Sequence, residues 1–305
     1  MIPSPSLVAP PALQPGGCIA VVAPSSPFDR DAFDRGVARL RERYDVRYAE
    51  TLFVRSGFLA GDDDRRAEEL LAALRDPAVH AVVAARGGHG STRLLHRLPP
   101  EEVRAARKLL VGFSDVTALH AAWARGGVRS IHGPMVAALG RTGPRAVERW
   151  VAAVEGRVPD PLEGLEPMCG GIAEGPLIGG NLAVLAALVG TPYAPPLDGA
   201  VLFLEDVGER PYRVDRMLTT LRHAGWLDRV AGVALGAFTE CDPGPDGTPM
   251  ADVLRERLAH VAGPVVSGVP AGHVDDNLEL PLGAPVRLDG NSGRITFLQS
   301  AVALA

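Results

Sequence analysis

From Cys18 the chain runs "CIAVVAP", an apolar stretch closed by proline. A short apolar run with no alternation is the pattern of a strand covered on both faces. "RDAFDRGVARLRER" follows with apolar positions at helical spacing. "GDDDRRAEELLAALRD" opens on acids, which suit a helix N-terminus, and then shows a Leu/Ala face. The alternation continues with a strand "HAVVAAR" from His80, a glycine loop, a strand "KLLVGF" and a helix "DVTALHAAWARGG" closing on glycine. Short strands alternating with helices predict βαβ units and a parallel sheet with helices on both faces. The fold class is therefore α/β, Rossmann-like in its first half.

The pattern breaks between about residues 155 and 178. "EGRVPDPLEGLEPMCGGIAEG" is rich in Gly and Pro and weakly periodic. Beyond it come strands "GAVLFLED" and "VAGVALGAF" and helices "YRVDRMLTTLRHAG" and "MADVLRERLAHV". The tail "APVRLDG-NSG-RITFLQ" reads as a hairpin across Asn291, Ser292 and Gly293. These patterns divide the chain into a proline-rich arm (1–16), an N-terminal α/β domain (17–155), a linker (156–178) and a smaller mixed α/β C-terminal domain with some antiparallel sheet (179–305).

Composition narrows the function. The 305 residues are 47% apolar and 22% charged, with a formal net charge of −5. Mild acidity argues against nucleic-acid binding and against a membrane surface, since both favour basic patches. Of 31 basic residues only Lys108 is a lysine, and no G-K-[ST] string occurs, so a Walker A phosphate loop is excluded. Three widely spaced cysteines without a C-x-x-C fit a reducing compartment better than a disulfide or zinc scaffold. No basic residue precedes Arg30 and no apolar run is long enough to span a bilayer, so the expected location is the cytoplasm.

Four strings could carry chemistry. In "LLVGFSDVTALH" a buried strand runs into Gly112-Phe113-Ser114 and a helix starts at once at Asp115. A serine there lies at the ligand-facing end of a parallel sheet and at the positive end of a helix dipole. It is either an activated nucleophile beside oxyanion-binding N–H groups or simply the helix N-cap. In "ARGGHGSTRLL", Gly87, Gly88 and Gly90 let backbone approach an anion, or merely make a turn. Glu205 and Asp206 end the strongly apolar strand "AVLFL", in a crevice or at a solvated strand end. His273 lies in "GVPAGHVDDNLELPLG", a polar loop where a general base or an ordinary surface histidine could sit. Ser114, Glu205 and His273 are a possible nucleophile, orienter and base, although spacing alone does not bring them together.

The strings "RGGHGSTRLL", "GFSDVTALH", "HGPM", "GGNLAVLAALVGTPYAPPLDGAVLFLEDVGERPYRVDRML" and "GHVDDNLELPLGA" occur in the order found in LD-carboxypeptidases, which trim murein tetrapeptide, and the chain resembles them from about residue 17 to about residue 290. The resemblance implies an active site between the two domains and a Ser–Glu–His triad of Ser114, Glu205 and His273. It implies backbone oxyanion donors at Gly88 and Asp115, no metal or other cofactor, and a cytoplasmic homodimer. One departure is His89, where the family commonly has tyrosine.

The reaction so implied is hydrolysis of the amide between an L-centre residue, meso-diaminopimelate or L-Lys, and terminal D-Ala of murein tetrapeptide. A carboxypeptidase must also hold a free α-carboxylate, for which Arg86 and Arg213 are the candidates, with His89 a further substrate-binding candidate. Two alternatives remain. The microcin C self-immunity peptidases share the superfamily and cleave peptidyl-nucleotide conjugates, but none of Trp123, Trp150 and Trp226 falls in the catalytic strings to stack a base. A bilobal small-molecule binding protein without catalysis would have the same α/β layout. An α/β-hydrolase esterase is disfavoured because Ser114 lacks the second glycine of G-x-S-x-G.

Overall fold

The computed structural model describes residues 7–245 and 247–304, so the first six residues of the expected arm lie outside the described residues. The first half contains β1 (Cys18–Val22), α1 (Arg30–Arg41), β2 (Asp45–Arg47), α2 (Asp63–Arg75), β3 (Val79–Ala84), α3 (Pro100–Ala106), β4 (Leu109–Gly112), α4 (Thr117–Arg125), β5 (Ser130–His132), α5 (Val136–Leu139) and α6 (Pro144–Val154). Strands β1 to β5 are parallel and lie in the order β5-β4-β3-β1-β2, each joined to the next through a right-sized α-helical or looped crossover. All five residues of β1 and all four of β4 are buried, as their unbroken apolar runs require. Asp29 and Asp62 start α1 and α2 by accepting hydrogen bonds from the N–H groups of Ala32 and Arg65, at 2.7 and 2.8 Å.

The second half contains β6 (Glu166–Cys169), β7 (Ile172–Asn181), α7 (Leu182–Ala187), β8 (Val201–Val207), α8 (Pro211–His223), α9 (Trp226–Arg229), β9 (Gly232–Thr239), α10 (Met250–Leu258), β10 (Val265–Ser267), β11 (Leu280–Leu282), β12 (Pro285–Asp289) and β13 (Arg294–Phe297). Its sheet runs β13-β12-β7-β8-β9-β10-β6. The four central strands are parallel, and β6, β12 and β13 add antiparallel edges. The hairpin expected across residues 291–293 is the β12–β13 connection.

The two halves interlock more than the sequence suggests. Residues 156–178, expected as a linker, contain β6 and most of β7. Strand β11, from the second half, is the edge of the first sheet, with Leu280 opposite His132 on antiparallel β5. The C-terminal Ala301 and Val302 pack in the same apolar cluster as Phe33 of α1 and Trp150 of α6. Helix α4 lies where the halves meet, and Thr117 through Ala124 are buried all round it, because the second half covers the face that a lone domain would leave to water. Lys108 takes no part in a cleft: its buried ammonium donates to the carbonyls of Ala73 and Asp76 at the end of α2, the negative pole of that helix.

Candidate active site

The chain leaves β4 at Gly112 and turns sharply before α4. At the turn Ser114 adopts φ +64°, a left-handed backbone that L-residues avoid. Phe113, not Ser114, occupies the cap position of the short helical turn Ser114–Val116, and no side chain caps it. The serine hydroxyl is committed elsewhere: Ser114 Oγ lies 3.1 Å from His273 Nε2. The other ring nitrogen, His273 Nδ1, lies 2.8 Å from Glu205 Oε2. The three side chains predicted separately are therefore joined in one chain of hydrogen bonds, across 159 residues between serine and histidine.

Each member is held by its own surroundings. Glu205 sits on β8 with no exposed surface. Its neighbour Asp206, beside a register shift in the β8–β9 pairing, has a separate set of partners. Asp206 accepts bonds from Asn181 Nδ2 and from the N–H groups of Ala183 and Val207, and burial pushes its carboxyl up to about 6. His273 follows Gly272, whose φ of +117° and contact with Glu205 demand glycine: a Cβ there would meet Glu205 Oε2 at 2.6 Å. Thr239 Oγ1, at the end of β9, donates to the carbonyl of His273 at 2.8 Å. The ring of Phe113 meets the imidazole edge-on at 5.1 Å between centroids.

The glycine loop after β3 lies directly against the serine. A Cβ on Gly87 would sit 2.8 Å from Ser114 Cβ and 3.0 Å from Oγ, so the loop reaches this position only as glycine. Two buried side chains of opposite charge fix the loop. Asp115 Oδ2 accepts from Ser25 Oγ at 2.6 Å and from the N–H of Ser91 at 2.7 Å. Arg66, reaching in from α2, donates to the carbonyls of Pro24 and Gly90 and pairs with Asp63. The N–H groups of Gly88 and Asp115 donate to no other group among the described residues; Gly88 lines the cleft over Ser114, and Asp115 is buried behind it.

A cleft of about 660 Å³ opens over Ser114 and His273. Arg55, Arg86 and Arg141 line it with Asp29 as the single acid, so the cleft is cationic in an acidic protein. Arg86 donates to the carbonyl of Pro27 at 2.7 Å, and Arg141 lies 3.8 Å from Asp29. Arg213 is not among the lining residues; it is exposed and engages Tyr212 and Glu209 on its own helix turn. His89 is exposed, rests on Phe58 at 5.6 Å between rings, and makes no bond to Ser114. Arg55 and Arg141 were missed from the sequence because nothing local distinguishes a cleft arginine from a solvated one. Among the described residues no three His, Cys, Asp or Glu side chains gather to hold a metal ion, and no helix is long and apolar enough to cross a membrane.

Comparison with known proteins agrees with this layout. Residues 19–133 match the LD-carboxypeptidase N-terminal domain and residues 174–288 the LD-carboxypeptidase C-terminal domain. The murein tetrapeptide carboxypeptidase of Pseudomonas aeruginosa is 32% identical, over 90% of this chain and 94% of that one. The crystal structure of the muramoyltetrapeptide carboxypeptidase of Oxalobacter formigenes superposes with a TM-score of 0.81 at 31% identity, covering 91% of this chain and 97% of that one. The microcin C7 self-immunity protein MccF, solved with aspartyl sulfamoyl adenosine, shares the fold with a TM-score of 0.87 at 22% identity, covering 97% of this chain and all of that one.

Proposed function

The chain belongs to the LD-carboxypeptidase family, and from that premise we propose that it is a serine carboxypeptidase releasing terminal D-Ala from murein tetrapeptide. The observation that carries the proposal is the relay Ser114–His273–Glu205, with contacts of 3.1 and 2.8 Å. A carboxylate only accepts hydrogen bonds, so Glu205 fixes the proton on His273 Nδ1 and leaves Nε2 free to accept from the serine. Ser114 attacks the carbonyl of the L-centre residue as its proton passes to Nε2. The tetrahedral oxyanion is met by the N–H groups of Gly88 and Asp115, at the start of the turn leading into α4. Collapse expels D-alanine, whose amine takes the proton from the imidazolium. Water then enters and the same histidine deprotonates it to hydrolyse the acyl-enzyme.

The cleft arginines suit the substrate, since a stem peptide ends in a free carboxylate and carries others. Arg86, Arg55 and Arg141 are the cations that share the cleft with Ser114, and a guanidinium fork matches a carboxylate's two oxygens. The same family reading makes the protein a cytoplasmic homodimer, with Ser114 and both oxyanion donors in its N-terminal domain and Glu205 and His273 in its C-terminal domain.

The test is D-alanine release from murein tetrapeptide. Wild type turns over, and Ser114→Ala or His273→Ala lowers kcat by on the order of 10⁴-fold or more while the fold persists. Wild-type rates in either variant would refute the assignment. A peptidyl-nucleotide conjugate assayed in parallel separates the murein reading from the microcin-type one, for which preferential cleavage of the conjugate would be the evidence.

A further inference from the structure

The loop that brings His273 to the serine runs from the end of β10 to β11 and carries little regular structure of its own. Its far end is gripped from the other half of the molecule. Arg149, on α6, donates from Nε to Glu279 Oε2 at 2.7 Å, and from one terminal nitrogen to Asp276 Oδ1 at 2.7 Å and to the carbonyl of Asn277 at 3.1 Å. One guanidinium thus holds three groups within four successive residues. Asn277 passes the constraint on: its Oδ1 accepts from the N–H of Gly272 at 2.8 Å, immediately before the histidine. The carbonyl of Pro270 accepts from the N–H of Leu278, which closes the loop on itself.

Both ends of this chain are firm. Glu279 is 2% exposed and its second oxygen has no partner among the described residues, so Arg149 is its counter-ion. Burial raises the carboxyl of Glu279 and the guanidinium opposes that rise. Beside Arg149 on the helix, fully buried Trp150 donates from its ring nitrogen to the carbonyl of Pro134 at 3.1 Å, anchoring α6 to the segment that follows β5. The N-terminal half carries Ser114 and the C-terminal half carries His273. The Arg149–Asn277–Gly272 chain therefore ties the general base to the half that bears the nucleophile.

We propose that Arg149 is a positioning residue for the reaction: through Asn277 and Gly272 it sets the His273 imidazole in register with Ser114 without touching the substrate. The proposal rests on His273 being the base. A displacement of about 1 Å at a reacting group can cost on the order of a hundredfold in rate, so loosening this tie acts on kcat rather than on binding.

The experiment measures kcat and KM separately for D-alanine release, with the rate at which a fluorophosphonate modifies Ser114 as a second readout. Arg149→Ala is expected to lower kcat and the labelling rate by roughly 10- to 100-fold, with KM changed less than about threefold. Arg149→Lys, which keeps the charge but not the fork, recovers part of the loss. Arg145→Ala, an exposed arginine one helical turn earlier, leaves both rates as in wild type. Asn277→Ala cuts the last link while sparing the ion pairs of Arg149. It is expected to match Arg149→Ala, and the double variant to be no worse than either, because residues acting in one chain are not additive. This arm decides the matter even where Arg149→Ala folds poorly. Unchanged kcat in Arg149→Ala or Asn277→Ala, or fully additive losses, overturns the proposal. The underlying assignment fails separately: then His273→Ala itself keeps turnover.

Discussion

At the scale of single residues, the site depends on two close approaches that leave no room for a side chain. Gly87 lies against Ser114 and Gly272 against Glu205. Gly87→Ala should force the serine off its 3.1 Å contact with His273 and lower kcat by about a hundredfold, in a variant that still unfolds cooperatively. Unfolding temperature and turnover measured on the same sample check this. Retained turnover would mean that the loop yields and the serine does not. Ser114, Glu205 and His273 were legible as candidates because each ends or follows a strand, and the structure joins their side chains by hydrogen bonds. The strained φ at Ser114 could not be read, since an N-cap serine in the same string would look identical. Its hydroxyl is taken by the imidazole, which removes that alternative. Arg213 looked equivalent to Arg86 in the sequence, but only Arg86 lines the cleft.

At the scale of elements, α2 and the turn into α4 act as struts for the glycine loop. Arg66 was hidden in "DDRRAEELLAALR", where an arginine reads as part of a solvated face, yet it is 1% exposed. Its head satisfies two buried carbonyls, those of Pro24 and Gly90. Arg66→Met keeps the apolar stem and deletes those bonds. It should destabilise by about 2–4 kcal/mol, the cost of two unsatisfied buried acceptors, and lower turnover because the loop bearing Gly88 loosens. Urea unfolding and kcat test the two halves of that statement, and unchanged stability would show the carbonyls to be hydrated instead. Strands β1, β3, β4, β8 and β9, the β12–β13 hairpin, and helices α1, α2, α4, α8 and α10 followed from hydrophobic runs and spacing, whereas β2, β5, β6, β7 and β10 and helices α3, α5, α7 and α9 gave no such signal. Nor did helix α6 and strand β11: β11 is only Leu280–Leu282 with proline at its centre, and its partner β5 lies some 150 residues away in the chain. Such pairing is decided by tertiary contacts, not by local pattern.

At the scale of the whole molecule, the two halves share a buried layer that contains two histidines beneath the site. His120 bonds the carbonyl of Gly112 and the hydroxyl of Ser130, each at 2.8 Å, and burial lowers its imidazole to about 4. His132 is fully buried with neither ring nitrogen partnered among the described residues, and burial lowers it well below the usual range. Both are depressed relative to an unfolded value near 6.5. Their stabilising contribution is thus complete above about pH 6.5 and lost as pH falls toward 4. For His120 the span corresponds to on the order of 3 kcal/mol. Unfolding free energy measured from pH 7 down to 4 should fall more steeply in wild type than in His120→Gln, and parallel curves would show that the imidazole is solvated.

The central claim is that a hydroxyl, an imidazole and a carboxylate drawn from both halves act as one acylating unit. The most direct measurement is reaction of the intact protein with a fluorophosphonate, the adduct located by peptide mass spectrometry. The account predicts one adduct, on Ser114, formed rapidly in wild type, orders of magnitude more slowly in His273→Ala, and absent in Ser114→Ala. No adduct, an adduct at another serine, or an undiminished rate in His273→Ala would contradict it.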